Sequence, residues 1–333
     1  MPDLDVGLIG AGGIACFHLP AWVELGARVT VFSTDGNAEK LAAQYAEHGV
    51  EVVDSLDELL ERSTVVDVCT PTHTHKELAL AAIRAGKHVA CEKPLALSVK
   101  DAEEMITAAE DAGVLLFPCH VVRYFPEYTA MTQAVAAGAV GQPAVLRFTR
   151  TCAYPWWAPW FADAELSGGI LVDQMIHDFD IARLLAGDVV RVYAQSRGHL
   201  RPPAEAGAVA AATAVLTHAS GAISHVHGVW GLPDSDFRTT FRIAGRGGVL
   251  THDSTQTEAF RIVAQDGATG IPDTILTESP FLTELRDFAS AVQGGPTPRV
   301  TARDGLAAVQ IGLAATESAR TGQAVEIEHE GVR

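Results

Sequence analysis

The sequence predicts an α/β protein of two domains, the first built on a parallel sheet and the second on a largely antiparallel sheet. Its 333 residues exceed the roughly 250–300 residues at which single hydrophobic cores stop growing. Short β-rich runs alternate with helical patterns in the first third of the chain, which is typical of βαβ units. From residue 122 onward this alternation ends and strand patterns come to dominate. We therefore predict a first domain over residues 1–121 and a second over residues 122–333.

The strands of the first domain are mostly continuous apolar runs, as expected for a sheet covered by helices on both faces. They are predicted at residues 4–9, 28–32, 65–69, 88–91 and 114–118, with a weaker one at 51–53. Helices are predicted near residues 37–47, 55–61, 74–85 and 98–111. Ser55 and Glu58 form a capping box, and Gly86 and Gly113 stand where C-terminal glycines of helices belong. Pro20 is expected to kink the helix that follows the first strand.

The second domain begins with a mixture of helices and strands and continues with strands joined by short turns. A helix is predicted near 126–137, a strand near 144–152 and a helix near 169–186. Further strands are predicted at 208–216, 222–230, 237–244 and 249–252, with glycine turns between successive pairs. Helices near 281–293 and 303–321 end the pattern. It indicates an α+β domain with an open sheet that is largely antiparallel and backed by helices.

The charge balance argues against nucleic acids and membranes as partners. Forty-one acidic and 24 basic residues give a formal net charge of −17, so the protein repels phosphate polymers and anionic lipid surfaces. The most apolar stretch, residues 206–229, is interrupted by threonine, serine and histidine and makes a poor membrane span. No signal peptide is readable at the N-terminus. We expect a cytoplasmic protein.

The cysteines and histidines do not predict a disulfide framework or a metal site. Five cysteines are an odd number and have no Cys-x-x-Cys spacing, so we expect free thiols. Three pairs have a spacing that could hold a metal, but none has a convincing third ligand in sequence; they are Asp173 with His177, His73 with His75, and His225 with His227. We therefore predict no metal.

A glycine motif between the first strand and the first helix predicts a dinucleotide site. The run Gly10-Ala11-Gly12-Gly13-Ile14-Ala15 matches the G-x-G-x-x-G/A fingerprint in the context that the fingerprint requires. Gly10 permits a tight turn, Gly12 lets the backbone approach a pyrophosphate, and Ala15 allows the helix to pack closely. Gly10, Gly12, Gly13 and Ile14 are thus candidate cofactor residues, and the first domain is predicted to be a doubly wound Rossmann domain.

The end of the second strand bears on the choice of cofactor. An acidic residue is expected there to bind the ribose 2′-hydroxyl, but Ser33 and Thr34 follow the strand and Asp35 comes two places late. A carboxylate at position 33 would repel a 2′-phosphate, whereas serine would not. No arginine stands beside the site to bind that phosphate. The sequence therefore admits NAD or NADP, with Ser33 favouring NADP.

Three further segments, together with the glycine motif, resemble the glucose-fructose oxidoreductase and inositol dehydrogenase (Gfo/Idh/MocA) family. They are Glu92-Lys93-Pro94 after the fourth long strand, the segment 120–126 with Arg123, and a Gly-Gly-x3-Asp-x3-His pattern that ends with Asp173 and His177. The closing stretch 281–327 is also similar. The resemblance covers nearly the whole chain, and the order and spacing of the motifs make it specific.

The resemblance implies an oxidoreductase, and the residues suit that chemistry. Oxidation of a secondary alcohol needs a base for the hydroxyl proton and a cofactor carbon that accepts the hydride. Asp173 and His177 are four residues apart and share a face if the segment is helical. His177 is the candidate proton acceptor, Asp173 orients the substrate or the imidazole, and Lys93 hydrogen-bonds the reacting oxygen. Family members differ on whether the lysine or the histidine takes the proton, so both alternatives stay open.

The resemblance also assigns residues to the nicotinamide pocket. Glu92 and Pro94 shape the turn that aims Lys93, while Pro71 and His75, with Thr70, line the pocket. Without the family match, Lys93 reads equally well as a surface lysine, and Asp173 with His177 as a solvated helix pair.

An aromatic loop before the Gly-Gly motif supplies candidate substrate contacts. Tyr154, Trp157 and Trp160 could stack on sugar C–H surfaces or close a pocket to water, although a Trp-rich loop also suits an oligomer contact. Trp160 best matches a position where the family often has tryptophan. Arg123 could anchor a substrate hydroxyl or carboxylate, or pair with a nearby acid.

Together these observations predict an NAD(P)-dependent oxidoreductase that acts on a secondary alcohol or ketone of a polyol or sugar. The alternatives are an NADPH-dependent reductase of a keto-sugar, aldehyde or imine, and a dinucleotide- or sugar-sensing regulator without turnover. The open sheet of the second domain predicts a homo-oligomer, a dimer or a tetramer, because an uncovered apolar sheet face favours burial.

Overall fold

A computed structural model describes most of the chain, and the fold follows from the described residues. These are residues 4–156, 158–198, 210–256, 260–264, 267–270 and 278–328. The helices, in chain order, are α1 (Ala15–Glu24), α2 (Ala38–Ala43), α3 (Leu56–Arg62), α4 (His75–Arg84), α5 (Val99–Ala112), α6 (Pro126–Ala136), α7 (Ala164–Ser167), α8 (Gly169–Asp173), α9 (Ile176–Ala186), α10 (Pro280–Val292) and α11 (Ala302–Thr321). Among the described helices, none combines the length and the apolar composition that crossing a bilayer requires.

Fifteen strands accompany these helices in the described residues. They are β1 (Asp5–Ile9), β2 (Arg28–Phe32), β3 (Glu51–Val52), β4 (Val65–Val68), β5 (His88–Glu92), β6 (Leu116–Cys119), β7 (Pro143–Ala153), β8 (Val189–Arg197), β9 (Ala210–His218), β10 (Ile223–Gly231), β11 (Arg238–Gly245), β12 (Gly248–Asp253), β13 (Phe260–Ala264), β14 (Gly267–Gly270) and β15 (Val325–Glu326).

The chain forms two compact units, and neither is continuous in sequence. Unit 1 contains Met1–Tyr124 and Leu276–Leu306, and unit 2 contains Phe125–Ile275 and Ala307–Arg333. The segment 276–306, which the sequence analysis assigned to the second domain, thus packs in unit 1. The domain boundary between residues 121 and 122 stays a prediction.

Unit 1 contains a six-stranded parallel sheet with the order β3-β2-β1-β4-β5-β6. This is the strand order of a Rossmann domain, and all six strands were predicted. The strands β4 and β6 are buried along their whole length, as continuous apolar runs require. Helix α10 contributes Leu282, Leu285 and Phe288 to the same core, and the ring of Phe288 stacks on that of Phe117 at 5.1 Å. The parallel-sheet prediction is confirmed.

The helix ends in unit 1 follow local chemistry, with one departure from prediction. The hydroxyl of Ser55 accepts a hydrogen bond from the Glu58 N–H at 3.2 Å, as a capping residue does. The predicted helix 37–47 is shorter, because the backbone leaves the helical region at Tyr45 with φ −126°. Helix α1 contains Pro20 and still runs unbroken from Ala15 to Glu24, so the helix continues past the expected kink.

Unit 2 contains a nine-stranded sheet with the order β14-β13-β12-β11-β7-β10-β9-β8-β15. Among the described strands of this sheet, only β7 and β10 pair in parallel, so the prediction of a largely antiparallel sheet is confirmed. Buried and exposed residues alternate along β10, which leaves one face of the sheet open, while helices α8 and α9 contact β7, β9 and β10. Strands β8, β13, β14 and β15 were not predicted.

The helix predicted over 169–186 is two helices, α8 and α9. The break lies at Gln174 and Met175, where the Met175 N–H donates to the carbonyl of Ile170, five residues earlier, at 3.0 Å. This wider turn interrupts the regular helical ladder. The break falls between Asp173 and His177, the two residues that the sequence analysis placed on one helix face.

Candidate active site

The glycine turn after β1 has the backbone that a dinucleotide site needs. Gly10 has φ 100°, and a Cβ at this position would lie 2.4 Å from the carbonyl oxygen of Cys69, so only glycine fits. Gly12 and Gly13 are exposed, with no atom within 4 Å of where a Cβ would be. The ten-residue helix α1 begins directly afterwards. Open backbone at a helix N-terminus suits a pyrophosphate, because unpaired N–H groups and the helix dipole both favour an anion.

The turn after β2 carries a carboxylate although position 33 is serine. The Ser33 hydroxyl donates a short hydrogen bond to the carboxylate of Asp35. Asn37 donates to the same carboxylate from its backbone N–H at 3.0 Å and from its side-chain amide at 2.7 Å. The hydrogen bond from Ser33 and those from Asn37 lower the pKa of Asp35. Thr34 and Asp35 are exposed, so a negative charge stands beside Ser33.

His75 bridges the turns that follow β4 and β5. Its Nδ1 lies 2.8 Å from the carbonyl oxygen of Pro94, and its Nε2 lies 2.9 Å from that of Thr70. The side chain is buried, and desolvation lowers the pKa of its imidazole. Pro71, next to Thr70, is half-buried. The histidine predicted for the nicotinamide pocket therefore lies within hydrogen-bond distance of backbone carbonyls in two candidate cofactor segments.

Lys93 stands in the turn directly after β5. Glu92 is buried, and its Oε2 accepts a hydrogen bond from the Lys93 backbone N–H at 3.0 Å. The Lys93–Pro94 peptide bond is cis. The Lys93 side chain is half-buried. Because β2, β1, β4 and β5 are consecutive parallel strands, their C-terminal turns meet at one edge of the sheet, where open α/β sheets bind ligands.

Arg123 lies in unit 1 and has protein partners. It is 5% exposed, and its Nη1 donates to the carbonyl oxygen of Arg299 at 2.7 Å and lies 3.4 Å from Asp304 Oδ2. Of the two roles considered for this residue, pairing with a nearby acid is the one that these contacts support.

In unit 2, Asp173 ends α8 and His177 lies in the first turn of α9. Asp173 is buried and His177 half-buried. Their neighbour Asp178 accepts two hydrogen bonds of 2.9 Å from Arg150, one from Nε and one from Nη2. The Tyr128 hydroxyl accepts a third bond from Arg150 at 3.2 Å. This buried ion pair fixes the start of α9 on strand β7.

Two of the predicted substrate residues belong to one aromatic cluster in unit 2. Tyr154 follows β7, and its ring lies 5.6 Å from that of Trp230, near the end of the parallel neighbour β10. Phe161 lies 6.2 Å from Trp230 and stacks on Trp160 at 3.9 Å. Trp157 lies outside the described residues. The cluster places Tyr154 and Trp160 at the same edge of the sheet.

A buried polar cluster beneath the turn of Lys93 was not predicted from the sequence. It contains His18 of α1, Asp67 of β4, Glu92 of β5 and Glu284 of α10, none of them more than 6% exposed. Asp67 was the one available signal, because a carboxylate within an apolar strand needs a buried partner. The partner from α10 is more than 200 residues away in sequence, at position 284.

Comparison with known proteins identifies both parts of the chain. Residues 4–120 match the family model described as "Oxidoreductase family, NAD-binding Rossmann fold". Residues 128–251 match the model described as "GFO/IDH/MocA C-terminal domain".

Similar curated proteins align along nearly their whole length. The 1,5-anhydro-D-fructose reductase of Ensifer adhaerens is 33% identical, over 97% of this chain and 98% of the relative. The myo-inositol 2-dehydrogenase of Thermotoga maritima is 30% identical, over 98% and 99%. The crystal structure of an oxidoreductase domain protein from Kribbella flavida superposes with a TM-score of 0.85 at 26% identity, over 99% of this chain and 100% of that one. The chain therefore belongs to the GFO/IDH/MocA family of oxidoreductases, whose N-terminal domain is an NAD-binding Rossmann domain.

Proposed function

We propose that the protein transfers a hydride between a nicotinamide dinucleotide and a secondary alcohol or ketone carbon of a polyol or sugar. The observation that carries this proposal is the edge of the unit 1 sheet, where the open glycine turn and the turn bearing Lys93 both lie. The names of two relatives support the substrate class, since one reduces an anhydro-fructose and the other oxidises an inositol.

The cofactor is held by the four turns at this edge. Gly10, Gly12, Gly13 and Ile14 receive the pyrophosphate, and Ser33 with Thr34 lies at the ribose. The nicotinamide side is formed by Thr70, Pro71, His75, Glu92, Lys93 and Pro94. When bound, the nicotinamide ring supplies the carbon that accepts or donates the hydride. The side chains of this protein contribute orientation and proton transfer.

Two neighbouring side chains oppose each other in the choice between NAD and NADP. Ser33 favours NADP, because it would not repel a 2′-phosphate. The Asp35 carboxylate, which is hydrogen-bonded to Ser33, favours NAD, because unit charges about 4 Å apart near a protein surface interact by roughly 1–4 kcal/mol. We propose that Asp35 makes NAD the preferred cofactor.

Asp35→Asn is expected to improve NADPH binding relative to NADH by about tenfold or more, because it removes the charge near the 2′-phosphate. Ser33→Asp is expected to move the preference further toward NADH. Fluorescence titration of each variant with both reduced dinucleotides measures the ratio, with Asp57→Asn, an exposed aspartate of α3, as the matched control. If neither variant changes the ratio of NADPH to NADH affinity, the 2′ position of the ribose does not lie near Ser33 and Asp35.

The proposed catalytic residues act on the substrate hydroxyl and its proton. Lys93 hydrogen-bonds the reacting oxygen and stabilises its alkoxide-like form. His177 takes the hydroxyl proton during oxidation and returns it during reduction, and Asp173 orients the imidazole or the substrate. Tyr154, Trp157 and Trp160 contact the sugar face. The reverse assignment, with Lys93 as the proton acceptor, stays open.

His177→Ala is expected to lower kcat about 100-fold or more, which is the contribution of a positioned general base. The Kd for NADH should change little, because His177 is not among the residues proposed to hold the dinucleotide. Steady-state kinetics and fluorescence titration measure both quantities. His48→Ala, which removes an exposed histidine of unit 1, is the control and should keep full activity. A His177→Ala enzyme with wild-type kcat would remove His177 from the site.

The activity itself is tested by titrating the protein with NADH and NADPH and then adding a panel of inositols, aldoses and keto-sugars. If the absorbance of the reduced nicotinamide rises when a polyol and NAD are present, the protein is a dehydrogenase. If this absorbance falls when a keto-sugar and NADH or NADPH are present, the protein is a reductase. Tight dinucleotide binding without any absorbance change across the panel would favour the regulator.

We also propose self-association through the open face of the unit 2 sheet, as a dimer or tetramer. Tyr193 on β8 and Ile223 on β10 are large exposed apolar side chains, and the strand register places both on this face. Sedimentation velocity tests the proposal, and a purely monomeric wild-type protein would contradict it.

The cytoplasmic location stays a prediction, which the five free cysteines support.

A further inference from the structure

His18 is the centre of the buried polar cluster in unit 1. Its Nδ1 lies 2.9 Å from Asp67 Oδ2, which also accepts a hydrogen bond of 2.7 Å from the Trp22 indole. Its Nε2 faces Glu92 Oε1 at 3.3 Å. The other oxygen of Glu92 accepts the Lys93 backbone N–H. Hydrogen bonds therefore join Asp67 to His18 and Glu92 to the backbone of Lys93, while His18 Nε2 and Glu92 Oε1 lie at ion-pair distance without forming a hydrogen bond.

Glu284 approaches the same imidazole from helix α10. The side chain is fully buried, and neither carboxyl oxygen has a hydrogen-bond partner among the described residues. A carboxyl oxygen of Glu284, a ring nitrogen of His18 and the Cys119 sulfur lie within 4.8 Å of one another. Burying a carboxyl group without a hydrogen-bond partner costs free energy of folding. The position of Glu284 beside His18 therefore suggests a function that offsets this cost.

We propose that Glu284 and His18 are positioning residues for Lys93, because they hold the Glu92 carboxylate that receives the Lys93 backbone N–H. This inference rests on the proposed function, in which Lys93 contacts the reacting oxygen. Glu284 acts through His18 and Glu92 and touches neither substrate nor cofactor. The segment 276–306 therefore contributes both the Glu284 carboxyl group and apolar core side chains to unit 1.

The charges of the cluster indicate how Glu284 acts. Three buried carboxyl groups surround one imidazole, and of the three only Glu92 has a slight solvent exposure. Ionising all three in this environment is expensive. Burial raises the pKa of Glu284 well above its usual range. Burial lowers the pKa of His18, but Cys69 and Asp67 together raise it well above its usual range. The packing of three carboxyl groups around one imidazole therefore favours a neutral Glu284, whose O–H can donate a hydrogen bond.

A bound divalent metal is the competing explanation of the same geometry, since His, Cys and Glu are all zinc ligands. Metal analysis of the purified protein distinguishes the two explanations. The titratable groups that interact electrostatically with His18, Glu92 or Glu284 include Asp67, Cys69, His75, Cys91, Cys119, Tyr124 and Asp287.

The test compares Glu284→Gln with Glu284→Met. Glutamine keeps the shape and the N–H donor, whereas methionine fills the volume and has no donor. We expect Gln to keep kcat within about threefold of wild type, and Met to lower kcat about tenfold or more and to shift the pH dependence of kcat, with KM for the dinucleotide changed less than threefold. Leu285→Ala, which truncates a buried side chain of the same helix, should lower stability without this shift. Equal losses in Gln and Met, or an unchanged kcat in Met, would overturn the proposal.

A second readout does not depend on turnover. Infrared difference spectra between wild type and Glu284→Gln should contain the C=O band of a protonated carboxyl that only the wild type has. The absence of this band would overturn the proposal, as would a stoichiometric metal ion, measured by mass spectrometry, that Glu284→Gln loses. If the wild type turns over no polyol or sugar, the proposed function fails while the infrared result still reports on the cluster.

Discussion

Lys93→Met is expected to lower kcat by about 10²–10³-fold, the effect of removing a preorganised donor from a developing oxyanion. Methionine keeps the aliphatic length of lysine but cannot donate a hydrogen bond to the reacting oxygen. The turn itself should persist, because it is held by the Glu92 carboxylate on the Lys93 backbone and by His75 on the Pro94 carbonyl. The loss should therefore appear mainly in kcat, with the Kd for NADH within about threefold of wild type.

Lys100→Met is the matched control for this variant. Lys100 is exposed in the first turn of α5 in the same unit, and its replacement should leave kcat and Kd unchanged. Lys93→Arg should recover little activity, since a guanidinium differs from an ammonium in shape and hydration. A Lys93→Met enzyme with wild-type turnover would remove Lys93 from the catalytic residues and leave His177 as the proposed proton-transfer group.

The Rossmann part of the fold was predictable because its signals are local. Most of the six strands of unit 1 are short apolar runs between turn residues, and a Cβ at Gly10 would collide with the Cys69 carbonyl. The family match then confirmed an NAD-binding oxidoreductase. The return of residues 276–306 to unit 1 was not predictable. The periodicity of α10 predicts which face of the helix is buried, but it does not predict which domain core covers that face.

The residues of the candidate site also fall into two groups, those predicted from local sequence signals and those whose contacts depend on how the chain folds. The glycine turn, Glu92 and Lys93 were predicted as site residues because they lie at or just after the ends of strands, and a strand end is recognisable in the sequence. The contacts of His75 with two backbone carbonyls and the proximity of Asp35 to Ser33 depend on how turns fold back, which spacing does not encode. The spacing of Asp173 and His177 predicted that both lie on one helix. The break between α8 and α9 comes from the hydrogen bond of the Met175 N–H to the Ile170 carbonyl, which no residue type in the sequence predicts.

Arg150→Met is expected to destabilise unit 2 by about 3–5 kcal/mol, because it leaves the buried carboxylate of Asp178 without its partner. The pair is nearly inaccessible, with side-chain exposures of 5% and 1%, and both carboxylate oxygens accept hydrogen bonds from the guanidinium. For a unit of this size the loss corresponds to a Tm lower by roughly 6–20 °C. Differential scanning calorimetry with and without NADH measures the shift.

The double variant Arg150→Met/Asp178→Leu separates the cost of the unpaired charge from the value of the pair. Removing both charges should recover most of the lost Tm, since apolar replacements of a buried pair are often neutral. Arg320→Met is the control, because its pair with Glu317 is 70% and 48% exposed, and its Tm should be nearly that of wild type. Recovery of Tm without recovery of kcat would indicate that the pair also holds the start of α9, and with it His177, in its working position. Failure of the double variant to regain Tm would instead assign the loss to packing around Tyr128 and Phe237, whose rings lie 5.9 and 6.0 Å from the guanidinium.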